Sequence, residues 1–266
     1  MNTQGRPVRL RLLFRAILPA IIMTLCCRAP AWAGPPYVTD DPEPVDPGHW
    51  EVYGFSGGAH GHGGTTGLGP SLEVNYGAAP GLQLHFIGGL AYDDPPDAPF
   101  HMGVSDTELG AKLRFVDPDK DDWYPQLGIF PLVEIPTGNA ARGLGAGYWD
   151  EFLPLWVQKD WDKWTTYGGG GYWINPGPGN RNYWFFGWLL QRQVTDDLSI
   201  GAELFHQTSN IVGRDGSSGF NVGGVYDFSG DYHLLVSAGR GGIAYAVDGP
   251  AVGYPTTYYL ALQWTG

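Results

Sequence analysis

The chain has 266 residues, and its 15 Lys and Arg stand against 27 Asp and Glu, a formal net charge of −12 that speaks against nucleic acid as a partner. Aromatic residues make up 14%, charged residues only 16%, and glycine occurs 42 times. Beyond the first residues no apolar run approaches eighteen, which excludes a helical membrane protein and leaves many short strands separated by turn residues.

Residues 1–33 read as a signal peptide. Arg6, Arg9, Arg11 and Arg15 form a positive start, Ile17 to Leu25 an apolar stretch broken only by Pro19, and Ala31-Trp32-Ala33 a small-x-small cleavage site. Cys26 and Cys27 both fall inside it, so the mature chain has neither a disulfide nor a thiolate-held metal. Removing five arginines and no acid moves the net charge to about −17. Residues 34–48, with Asp40-Asp41-Pro42-Glu43-Pro44-Val45-Asp46-Pro47, are too rich in proline and acid for a strand. They are expected to form an extended leader at the periplasmic end, or to fold partly into the mouth of a barrel.

From residue 49 to 266 the pattern predicts one all-β domain, a closed antiparallel transmembrane β-barrel. Its roughly twelve strands fall near 49–59, 70–77, 81–92, 104–116, 124–135, 150–158, 163–174, 182–193, 198–208, 218–228, 231–240 and 256–265. In 104–116, Thr107, Leu109, Ala111, Leu113 and Phe115 alternate with Asp106, Glu108, Gly110, Lys112 and Arg114. The last strand alternates likewise, with Tyr258, Leu260, Leu262 and Trp264 on one side. Connections run long then short along the chain, as outer loops and periplasmic turns do in outer-membrane barrels. Trp50, Trp123, Tyr124, Trp149, Trp161, Trp164 and Trp264 sit near strand ends and suit the interfacial girdles.

These segments resemble the family of outer-membrane transporters named for the MetA pathway of phenol degradation. The likeness rests on Thr39-Asp40-Asp41-Pro42 leading into Pro47-Gly48-His49-Trp50-Glu51, and on residues 105–115. Pro136-Thr137-Gly138, Gly201-Ala202-Glu203-Leu204-Phe205, residues 218–224 and residues 233–240 extend it. It implies a barrel that admits small organic molecules, aromatic ones among them.

If the oily face of 104–116 meets lipid, Asp106, Glu108, Lys112 and Arg114 point inward, because charge facing hydrocarbon is costly. Glu73, Glu203 and Gln207 share that parity on their strands. These seven residues are the candidates for the lumen and solute pathway, either as a selective constriction or as ion pairs that fill a narrow barrel. His206 and Ser209 invite a lipid-hydrolase reading, but strand parity sets them on opposite faces. His60 and His62 are too few to hold a metal in a loop, and Gly168 to Gly171 lack the Lys-Ser/Thr of a phosphate cradle. The expectation is a non-enzymatic outer-membrane channel or transporter with no cofactor, its partners outer-membrane lipid and small solutes. A non-conducting barrel with functional loops such as 136–149 and 241–255 is the alternative. The sequence leaves the oligomeric state open.

Overall fold

The computed structural model describes residues 34–119, 122–241 and 254–266. The signal-peptide reading and most of loop 241–255 lie outside the described residues. The strands are β1 (Trp50–Gly61), β2 (Gly64–Ala79), β3 (Leu82–Asp94), β4 (His101–Val104), β5 (Thr107–Val116), β6 (Gln126–Ile129) and β7 (Leu132–Ile135). They continue as β8 (Asp150–Trp161), β9 (Trp164–Ile174), β10 (Tyr183–Thr195), β11 (Leu198–Gln207), β12 (Ser217–Ser229), β13 (Tyr232–Gly241) and β14 (Thr256–Thr265). All pairings are antiparallel. β14 returns to β1 with Glu51 opposite Thr265 and Tyr53 opposite Gln263, so the sheet closes and leaves no edge.

Two positions around the cylinder are filled by interrupted strands, so the fourteen segments make a twelve-stranded barrel. β4 and β5 both pair with β3, and β6 and β7 both pair with β5 and β8. The expected unbroken strands 104–116 and 124–135 are corrected accordingly. The second break falls at Phe130-Pro131, where proline has no N–H for the ladder, and the facing β8 carries Pro154 at the same level.

Exposure runs opposite to that of a soluble protein. On β14, Leu260 is 53% exposed and Leu262 49%, whereas Ala261 and Gln263 between them are closed off. On β5, Leu109, Leu113 and Phe115 face outward while Lys112 is buried. The apolar face therefore looks away from the cylinder and the polar face into it, the arrangement a lipid solvent requires. Trp50, Trp123, Trp149, Trp161 and Trp264 are exposed at strand ends, as a girdle demands.

Packing is concentrated inside the cylinder. One cluster joins Tyr53, Phe55, Val225, Leu235, Tyr259 and Ala261; another joins Phe130, Phe152, Trp156, Phe185 and Phe205. At the end where β1 begins and β14 ends, turns 80–81, 162–163, 196–197 and 230–231 are tight, with 117–125 the longer exception. At the other end 136–149 is long, but the ten-residue first loop expected there shrinks to 62–63. β1 and β2 run on through His60 and Thr65, and Gly64 makes the turn at a φ of 105°.

Candidate functional site: the lumen and the segment that crosses it

Residues 34–48 enter the lumen rather than rest outside it. Pro35, Pro36, Pro42, Pro44 and Pro47 have no N–H and fixed φ, so this stretch cannot extend the sheet. Its remaining amides find lumenal side chains instead. Val38 and Thr39 N–H donate to the Glu203 carboxylate at 2.9 and 2.8 Å, and Val45 N–H donates to Gln83 Oε1 at 2.9 Å. Ser237 Oγ donates to the Pro36 carbonyl at 2.5 Å. Anchors on β3, β11 and β13 thus hold one extended segment across the barrel.

The wall is recessed to receive it. At Gly187 an added Cβ would strike the Thr39 side chain, and at Gly201 it would lie 2.7 Å from the Tyr37 hydroxyl. Tyr37 packs there against Tyr167 and Leu189, and Val38 packs against the Phe130, Phe152, Trp156, Phe185 and Phe205 cluster.

Charge complements shape. Lys112 Nζ meets Asp40 Oδ1 at 2.9 Å and Asp41 Oδ2 at 3.3 Å, while Arg114 lies 3.7 Å from Glu43 and 3.0 Å from Asp117. Burial raises Asp41 well above the usual carboxylate range against the pull of Lys112. Asp40 is partly buried, which raises it, but the charge and hydrogen bond of Lys112 bring it below its ordinary value. Burial, followed by the charge of Asp160, pushes Glu43 up to about 7 despite Arg114 and a 2.9 Å hydrogen bond from Gln158.

Glu73 and Glu108 belong to a second network. Asn75 Nδ2 donates to Glu73 at 2.9 Å, so its Oδ1 faces His85 Nδ1 at 2.6 Å, and His85 Nε2 faces Glu108 at 2.8 Å. Both ring nitrogens meet acceptors, an arrangement that only an imidazolium satisfies fully. Among the seven candidates, Glu73, Lys112 and Glu203 are buried and Glu108 and Arg114 partly so. Asp106 lies off the ladder. It occupies the gap between β4 and β5 and accepts the N–H groups of Gly138 and Ala146 at 2.7 and 2.6 Å, which staples loop 136–149 to the rim. Gln207 ends β11 at the same rim, away from the leader.

Solved structures that share this architecture include outer-membrane channels and porins. The fold is that of outer-membrane channel proteins. The COG4313 outer membrane channel from Pseudomonas putida F1 superposes with a TM-score of 0.62 over 88% of this chain and 99% of that one, at 17% identity. The KdgM porin gives 0.54 over 80% and 98%, at 12% identity, and the NanC porin 0.54 over 81% and 98%, at 8%. No protein-family model and no curated protein sequence matches the chain.

The channel-like barrel does not assemble the hydrolase alternative. His206 faces outward with Nδ1 2.8 Å from Ser218 Oγ, while Ser209 Oγ donates to the Ile211 carbonyl at 2.6 Å. His60 lies in β1 beside Thr65 Oγ1 at 2.7 Å, and no cluster of metal-ligating side chains forms among the described residues. The glycine run 168–171 makes room for Trp188 and Phe186. Sequence reasoning missed His85, Gln83 and the leader's own acids. The inward parity of Gln83 and His85 on β3 was the available signal.

Proposed function

We propose that this protein is an outer-membrane channel for small organic solutes, closed by its own residues 34–47 and conducting when that segment withdraws. The observation that carries the reading is the leader itself, held across a polar lumen by Glu203, Lys112 and Gln83. A lumen that served only as a packed core would need no displaceable segment of charged and proline residues. Most of its attachments are hydrogen bonds and ion pairs, with Tyr37 and Val38 the apolar contacts among them. The aromatic cluster of Phe130, Phe152, Trp156, Phe185 and Phe205 suits apolar or aromatic solutes, as does the resemblance to transporters named for phenol degradation. In this reading residues 1–33 are removed on export, the outward apolar face contacts lipid, and the end where Trp50 meets Gly266 is periplasmic.

The second reading, a non-conducting barrel, draws on the same filled lumen. Planar-bilayer recording separates the two. A variant lacking residues 34–47 is expected to conduct steadily where the full mature chain is mostly closed. A deletion variant that inserts and stays silent overturns the channel.

A further inference from the structure

We infer that cleavage after Ala33 supplies the lock as well as the release: the new α-ammonium of Gly34 is the missing counter-ion of Asp40 and Asp41 and fastens the leader across the lumen. The inference rests on the closed-channel reading above and on the signal peptide ending at Ala33.

Gly34 is buried, and its carbonyl accepts the Tyr37 N–H at 3.3 Å, which turns the chain back toward the acidic pair. A Cβ position one bond from the Gly34 Cα lies 3.6 Å from Asp40 Oδ1 and 3.7 Å from Asp41 Oδ2. The Gly34 nitrogen is another substituent of that same Cα, about 1.5 Å from it, and once freed from residue 33 it can turn about the Cα–C bond into that direction, which brings a terminal amine within ion-pair reach of both carboxylates.

The pair needs such a partner. Asp41 is fully buried and Asp40 partly so, and the two share one lysine, Lys112, so the pair lacks the second cation that would favour the charged form of both against the burial that raises Asp41. In the unprocessed chain the Gly34 nitrogen is a neutral amide. After cleavage it is an amine with an ordinary pKa near 8, protonated at neutral pH. Closure of the lumen is thereby tied to maturation: only the processed chain carries the cation that completes the cluster.

The test uses mature protein purified from outer membranes after expression of the full chain. Mass spectrometry identifies its first residue. Reductive methylation with formaldehyde and cyanoborohydride at pH 7 then compares the Gly34 amine with the exposed Lys163, in the folded barrel and after denaturation. The expected result is a first residue of Gly34 whose amine reacts about tenfold slower when folded, as an ion pair worth one pKa unit dictates, with Lys163 unchanged. Asp40→Asn combined with Asp41→Asn should restore its reactivity. A mature terminus elsewhere, or a Gly34 amine that reacts equally fast folded and unfolded, overturns the lock. This wild-type comparison decides even where the double variant does not fold. If the deletion variant conducts while Gly34 reacts freely, the plug stands without the lock; a protected Gly34 with a silent deletion variant removes the channel instead.

Discussion

Glu203 and Thr39 stand 164 positions apart in sequence, yet the carboxylate of one accepts the backbone N–H of the other at 2.8 Å. The same carboxylate takes the Val38 N–H, so Glu203→Ala strands two amides at once. Leaving a buried donor unpaired costs about 1–3 kcal/mol, enough to shift leader occupancy by roughly one to two orders of magnitude. Single-channel recording should show open probability rising accordingly, and an unchanged trace would remove Glu203 from the lock.

Lys112→Met takes away the cation between Asp40 and Asp41. Breaking a buried ion pair by deleting one partner costs about 3–5 kcal/mol, and here the cost falls on the seating of the leader. Limited proteolysis should cut within 34–47 in the variant while the rest of the barrel resists. Equal protection in variant and wild type would show that the pair does not hold the segment.

Sterics give a charge-independent check. Gly187→Val drives side-chain atoms into Thr39, whereas Gly54→Ala meets open space. The first should raise conductance and the second leave it unchanged, with both barrels keeping the heat-resistant gel mobility of folded protein.

The Glu43 carboxyl, raised to about 7 in the seated leader, binds a proton more tightly there than when free in water. A raised acid favours the seated state at low pH, and that contribution is lost as pH climbs through the folded value. Open probability should therefore increase between about pH 5 and pH 8. Glu43→Gln should flatten that profile; a slope that survives the substitution assigns it to another group.

Asp106→Ala releases both amides that pin loop 136–149. Hydrogen exchange at Gly138 and Ala146 should accelerate by about tenfold or more, without a change in the conductance of the leader-deleted channel.

The barrel was legible because alternation records which face meets which solvent. Leu109, Leu113 and Phe115 against Lys112 and Arg114 place β5 correctly, and the closing strand reads the same way through Leu260 and Leu262. Where glycine replaces side chains the signal vanishes, so β1 and β2 reach past His60 and Thr65 through a stretch that reads as loop. At Asp106 parity loses its meaning for a related reason: it assumes an unbroken strand, and the ladder stops beside that residue. The leader's path was the least legible feature. Its prolines announce that it is no strand, but its partners Gln83, Glu203 and Ser237 lie on distant strands, and their pairing has no local periodicity.

The seam between β1 and β14, where Trp50 and Gly266 exchange backbone hydrogen bonds, imposes an order of events. The first strand waits for the last, so the ring cannot shut until the whole chain has arrived. Gln83 belongs to the first-arriving side of that seam and Ser237 to the last, and the leader touches both. In the channel reading proposed above, joining the cylinder's two ends also completes the leader's seat, so such a pore would be shut as soon as it is formed.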